Sequence, residues 1–481
     1  MQVIAQGKIQ RSMGWIAVAA ASVALGAALA WQPVLAWVLL AFFLVFLLLN
    51  APAYVWVYAA VFLAVFSRLI TYFGLAPGFV NFLHFPLAIG AAALAMVQSK
   101  RPEAQIDRRL RIGFLALGAL SLVSWLANGG EIQRPVLTWL LFAEPFLLLY
   151  ALVRTAKPST GPTLARLAVG IALIQIPLAF WQFVSLGDPD SVQGTFMGQG
   201  AGHHIAGAVS LLGMLLVMGQ VFSGSSSVLF VASLGVLLFA VPILSDAKQA
   251  VVAFLPAVVF IFLAYRRVRA STLFGVAAVL TISLWGAFFF YKPLRMIADL
   301  DLVSQGVMGK LESFRIISQK ISESPGQVLI GLGPGNSISR AALAAQEGYV
   351  RSVSSGALNL SLSPVTAEIL SVTSGNFLFA SSSVWSGISS WLGLFGDLGL
   401  MGLAIYIWIL VSIWQALGRS GSKFGAVSQA ALIMAVILGA AFSWLEFPEF
   451  MVPWVVFVGL GLVATSNENS ADSQPLSASR R

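Results

Sequence analysis

RIGFLALGALSLVSWLANGGEIQRPVLTWLLFAEPFLLLYALVR, residues 111–154, contains two apolar runs at 112 to 128 and 135 to 153. A short polar turn with two glycines joins them, and arginine closes both ends. Each run is close to the ~20 residues a helix needs to cross ~30 Å of hydrocarbon, so the stretch reads as two antiparallel membrane spans. The same rhythm continues outward in both directions. Further spans are expected at 13 to 30, 34 to 50, 54 to 72, 79 to 97, 167 to 186, 204 to 222, 227 to 243, 250 to 264, 272 to 291, 391 to 415, 425 to 443 and 451 to 465.

Composition agrees with that reading. Of 481 residues, 59% are hydrophobic and 9% charged, with a mean hydropathy of +0.90. A water-soluble domain carries roughly 25% charged residues, so lipid must solvate this surface. The predicted fold class is therefore an all-α polytopic membrane protein with about fourteen transmembrane helices. Residues 1–291 carry spans 1 to 11, 292–390 form one large extracytoplasmic loop domain, 391–465 carry spans 12 to 14, and 466–481 form a polar, disordered cytoplasmic tail.

The net charge of +9 has two readings, nucleic-acid binding or orientation in a membrane. With the amino terminus cytoplasmic, strict alternation places 17 of the 27 basic residues on the cytoplasmic side, including Lys100, Arg101, Arg108, Arg109, Arg111, Arg154, Arg419 and Lys423. That bias is the positive-inside rule, so no nucleic-acid partner is expected. The basic start and Ala28-Leu29-Ala30 resemble a secretory signal, but the next span begins almost at once, and an uncleaved first helix is expected.

Several chemistries lack their usual signals. There is no cysteine, hence no disulfide or thiolate metal site, and only three histidines occur. No P-loop, H-E-x-x-H or Gly-x-Ser-x-Gly sequence is present, which argues against ATP-driven pumping, zinc proteolysis and the serine-hydrolase elbow. No metal and no cofactor are expected.

Polar residues gather instead on the side opposite the basic clusters. Lys248, in LSDAKQAVVAF, sits in a very short connection; it reads either as a salt bridge to Asp246 or as a phosphate ligand. Arg315 lies on an amphipathic segment, 302 to 324, with Val307, Leu311, Phe314, Ile317 and Ile321 at helical spacing. It reads as a solvated pair with Glu312 or as a bidentate phosphate ligand. His203 and His204 end the loop before span 8, where an imidazole suits either a helix-terminal role or a general base. Because adjacent helical residues point about 100° apart, at most one of them is expected to face a site. His84, inside span 4, reads as a satisfied packing or interfacial residue. Glu144, inside span 6, is expected to pair with Arg68, to carry a proton, or to hydrogen-bond as a neutral acid.

Three stretches, in order, resemble the O-antigen ligase and polymerase superfamily, bacterial membrane proteins that transfer or polymerise lipid-linked glycans outside the cytoplasmic membrane. They are QGTFMGQGAGHHIAGAVSLLG at 193–213, SDAKQAVVAFLPAVVFIFLAY at 245–265, and SFRIISQKISESPGQVLIGLGPGNS at 313–337 followed by LGLFGDLGLMGLAIY at 392–406. The resemblance covers roughly residues 190 to 410. It departs in having Lys248 where the family usually has Arg and His203 where it usually has Asn. The stretch SSSVWSGISSWLG also lacks the histidine that ligases carry there, which favours a polymerase over a lipid A ligase.

The resemblance implies glycosyl transfer from a polyprenyl-pyrophosphate-linked glycan donor to a glycan acceptor, with exopolysaccharide or O-antigen as product. It implies Arg315 and Lys248 as cations facing the leaving pyrophosphate and His204 as base. His203, Gly331, Gly333, Gly335 and Asp397 are the implied substrate-binding residues. The implied setting is a bacterial inner membrane, with a flippase or chain-length regulator of the same pathway as a further partner. Ligase-type transfer to another acceptor, a lipid or polysaccharide transporter, and a non-catalytic scaffold are the competing readings.

Overall fold

A computed structural model of the chain describes residues 50–99, 102–157, 159–198, 200–222, 228–264, 300–344, 360–374, 387–419 and 424–472. The structure is all-helical, 82% helix, with no strand among the described residues. Seven helices are long and apolar enough to cross a membrane. In chain order the first helices are α1 (Ala53–Tyr72), α2 (His84–Gln98), preceded by a short 3-10 turn, α3 (Gln105–Asn128), α4 (Gln133–Arg154), α5 (Thr160–Leu186) and α6 (Gly202–Phe222). Two shorter apolar helices follow, α7 (Val228–Leu244) and α8 (Lys248–Ala264). The expected spans at 13 to 30, 34 to 50 and 272 to 291 lie outside the described residues.

Four helices then interrupt the bundle: α9 (Leu300–Ser322), α10 (Pro325–Ile330), α11 (Arg340–Leu343) and α12 (Pro364–Ser374). Three more complete the bundle: α13 (Ser390–Arg419), α14 (Gly425–Ala441) and α15 (Pro448–Asp472). The last runs to Asp472, into the stretch expected to form the tail, and residues 473–481 lie outside the described residues. Residues 465–472, TSNENSAD, contain neither Gly nor Pro, so nothing in them breaks the helix.

Both α4 and α6 are buried along most of their length, and the large buried side chains cluster around α4, α14 and α15. Close approach depends on small residues. A β-carbon on Gly213 would stand 2.2 Å from Ala172 Cβ, and one on Gly207 would stand 2.3 Å from Ala247 Cβ. Packing of this kind brings helices together in lipid, where the hydrophobic effect gives no preference for helix over acyl chain.

The helix ends form two groups. At one end Arg109 donates to Gln415 at 2.9 Å, Arg419 to Gln105 at 3.2 Å, and Arg154 to the Pro102 carbonyl at 3.0 Å. Those arginines belong to the basic clusters that alternation assigned to one side. At the opposite end Ser124 donates to the Ile330 carbonyl at 2.6 Å, Trp444 to Gln249 at 2.9 Å, and Arg68 to Glu449. The helices α9 to α12 sit over this second end.

They have a small core of their own, built from Ile316, Ile317, Ile321, Leu332, Ile338, Leu343 and Ile369. The apolar face predicted for α9 divides in two. Ile317 and Ile321 turn into this core, whereas Val307, Leu311 and Phe314 point outward. Lys310 is tucked against the Ile388 carbonyl, 3.1 Å away, and burial lowers its ammonium pKa to about 8.

Candidate functional site

The glycine turn and Asp397 are joined as one structural unit. Gly331, Gly333 and Gly335 all have positive φ, at 79°, 104° and 68°, which only glycine adopts without strain. Asp397 is fully buried beneath them. One carboxylate oxygen accepts from the Gly335 amide at 2.7 Å and the Ser339 hydroxyl at 2.6 Å. The other accepts from the Ser337 amide at 3.0 Å and the Ser337 hydroxyl at 2.6 Å. An ionised carboxylate offers about four acceptor sites, so protein groups engage all of them. Asp397 therefore holds the turn in place.

Arg134 clamps the turn from the other side. It donates to Asn336 Oδ1 at 2.7 Å and to the Gly335 and Ser361 carbonyls, and it pairs with Glu131 at 2.5 Å. Burial pushes the Glu131 carboxyl up, but hydrogen bonds from Ser361 and Arg134 outweigh it and bring the pKa down to about 2.

The three residues expected to act together are divided between two places. Arg315 is 62% exposed at its side chain and is held by Glu312 through bonds of 2.9 and 2.6 Å, the solvated pair. Lys248 is the first residue of α8 and pairs with Asp246 at 2.8 Å. His203 and His204 open α6 nearby, with their rings in contact at 3.9 Å between centroids, so the two do not diverge as their spacing suggested. His203 Nε2 lies 3.7 Å from Asp190. Asp188, Asp190 and Asp246 surround these imidazoles against the single ammonium of Lys248, a balance that disfavours an anion. His203 Nδ1 and His204 Nδ1, with Ser245 Oγ and Asp246 Oδ1 of the turn between α7 and α8, are buried and make no hydrogen bond to other described residues.

A pocket opens at the seam between the bundle and α11. Its polar wall is Arg68, Asn81, His84, Arg340 and Glu449; Phe85, Leu137 and Leu141 supply apolar surface. Arg68 donates to Glu449 from Nε at 3.1 Å and from a terminal nitrogen at 2.9 Å. Arg340 reaches the same carboxylate at 3.8 Å and lies over the Phe447 ring at 3.9 Å. Its backbone amide donates to Glu446 at 2.5 Å. Burial in the turn between α14 and α15 raises the Glu446 carboxyl well above the ordinary range. Glu144 pairs with His84, not with Arg68, at 2.6 Å. His84 is thus a buried imidazole whose Nδ1 is satisfied by the Glu144 carboxyl.

A guanidinium buried at the end of a membrane helix calls for an anionic partner. Glu449 provides one to both Arg68 and Arg340 beside the pocket. Sequence reasoning missed Arg340, Glu446 and Glu449. The signal was two acids within FSWLEFPEF, between two apolar runs that otherwise carry none. Among the described residues no group of three or more His, Asp or Glu is arranged to hold a metal. Compared with known proteins, the chain matches no family model and no curated protein.

Proposed function

We propose that the protein is a multi-pass membrane glycosyltransferase of the polymerase type. Its reaction joins glycan units carried on polyprenyl pyrophosphate, at the outer face of a bacterial cytoplasmic membrane, for exopolysaccharide or O-antigen synthesis. The observation that carries this reading is the convergence of Arg68 and Arg340 on one pocket beside the His84–Glu144 dyad. The anomeric carbon–oxygen bond breaks as the acceptor oxygen bonds to that carbon, and polyprenyl pyrophosphate leaves with the electron pair. Its charge grows toward the transition state, so fixed guanidinium groups stabilise that state more than the bound donor. The acceptor hydroxyl gives its proton to His84, whose Nδ1 is held by Glu144, as in a dyad that orients a general base. The cluster of His203 and His204 with Ser245 and Asp246, with its unengaged atoms, suits hydroxyl groups of the acceptor glycan better than a phosphate.

Arg315, exposed and already paired with Glu312, is a weaker candidate for the leaving group than Arg340. Purified protein in liposomes, supplied with polyprenyl-pyrophosphate oligosaccharides of its own host, tests both. A ladder of longer lipid-linked glycans that is lost in Arg340→Ala and retained in Arg315→Ala supports this site; the reverse result moves it to α9. The buried His84–Glu144 pair equally suits a proton-linked transporter. Lipid or sugar crossing the bilayer with no glycan joined would establish that second reading.

A further inference from the structure

We propose that α9 lies in the outer leaflet of the bilayer, with Val307, Met308, Leu311 and Phe314 among the acyl chains and Arg315 at the level of the lipid phosphates. This inference rests on the multi-pass membrane reading and is independent of any enzymatic activity. The helix has two apolar faces. One, with Ile316, Ile317 and Ile321, is buried in the small core of the outer helices. The other is bare: Val307 is 51% exposed, Met308 62%, Leu311 53% and Phe314 46%. Four large apolar side chains on two adjacent turns form a surface that water solvates poorly.

The neighbouring span identifies the occupant. Phe314 meets Phe395 of α13, with 6.1 Å between ring centroids. Just past Phe395, Leu400 and Met401 are 48% and 45% exposed, and Ile407, Trp408 and Val411 continue the outward side of that span. The bare face of α9 therefore runs into a lipid-facing stripe. Depth follows from length. Gly399 breaks α13, and the 20 residues after the break, 400–419, extend about 30 Å, the thickness of the hydrocarbon core. The helix α9 packs against the segment before that break, through Ile317 beside Gly396, with Lys310 on the Ile388 carbonyl just ahead of α13. That position is the headgroup boundary. The polar part of the exposed arc, Glu312, Arg315 and Gln319, fits the same level, since a long basic side chain keeps its stem in apolar surroundings and its head among phosphates. Held there, α9 would keep the helices over the pocket at the height where the phosphates of a lipid-linked substrate emerge.

The chain has no cysteine, so single-cysteine variants need no background removal. Leu311→Cys, Phe314→Cys, Gln319→Cys and Met401→Cys, each nitroxide-labelled, would be reconstituted in phosphatidylethanolamine–phosphatidylglycerol vesicles. Collisional relaxation by oxygen and by a water-soluble nickel chelate is then compared at each position. Oxygen access exceeding nickel access several-fold at 311 and 314, as at 401, with the ratio reversed at 319, is the expected result. Nickel access at 311 and 314 equal to that at 319 would overturn the inference, placing the helix in water. Little access to either reagent would also overturn it, showing that protein covers the face. Nickel access at 401 as well would mean the span reading itself has failed.

Discussion

Asp397 accepts the Gly335 amide at 2.7 Å, and this bond fastens the glycine turn to the first half of α13. Three further donors from Ser337 and Ser339 complete the contact. Asp397→Asn keeps the shape but turns one acceptor into a donor that faces another amide or hydroxyl. Leaving one buried donor unsatisfied costs about 1–3 kcal/mol. The variant should show a lowered Tm in detergent and faster amide exchange through residues 331–339, with the remaining helices unchanged.

Gly399 tests the other half of the same junction. Its φ of 65° breaks α13, and a β-carbon there would stand 2.5 Å from the Leu329 carbonyl group and 2.6 Å from the Gly331 nitrogen. Backbone occupies that space and cannot swing aside as a side chain would. Gly399→Ala should therefore cost more than the ~1–3 kcal/mol usual for overpacking, and the protein should be lost to aggregation on extraction. Gly170→Ala has nothing within 4 Å of the added carbon and should extract like the wild type.

How much of this the sequence disclosed depends on the range of the interaction. The spans were legible because a helix in lipid must be apolar over its whole length, a local property. Residues 105–128 and 133–154 accordingly form helices where the opening stretch predicts them. The order of Gly331, Gly333, Gly335 and Asp397 was visible too, but not that Asp397 serves the turn. That pairing joins positions about sixty residues apart. Arg340 and Glu449 were hidden for the same reason, since 109 residues separate them and neither alone differs from a surface charge. Glu144 was visible as a carboxylate in an apolar run, and His84 as a histidine in another. Their partnership required knowing that α2 lies beside α4. Arg315 shows the converse: its spacing from Glu312 is local, and the pair was foreseen.

The Glu131 carboxyl, with a pKa near 2 in place of about 4.5, links the outer turn to pH. A carboxylate depressed on folding contributes stability that is present above its unfolded value and lost as pH falls through the folded one. Stability of the 331–339 turn, which Arg134 ties to Glu131, should decline from about pH 4.5 toward pH 2. Glu131→Gln should flatten that part of the curve, measured by thermal unfolding at a series of pH values. An unchanged acid limb in the variant would show that other groups govern it.

Glu144 carries the sharpest functional prediction, because it is bound at 2.6 Å to an imidazole that lines the pocket. If the carboxylate orients His84 as a base, Glu144→Gln retains volume and a hydrogen bond but no longer stabilises the imidazolium formed on proton transfer. General-base catalysis contributes about 10²- to 10⁴-fold, so glycan transfer should fall by roughly that range in kcat with KM for the lipid-linked donor little changed. Arg340→Ala should act differently, losing leaving-group stabilisation whatever the pH. A Glu144→Gln loss that shrinks as pH rises, where the proton leaves the acceptor more readily, would mark proton transfer as its origin. A loss independent of pH, accompanied by a lowered Tm, would make the dyad a purely structural pair and return the search for a base to His204.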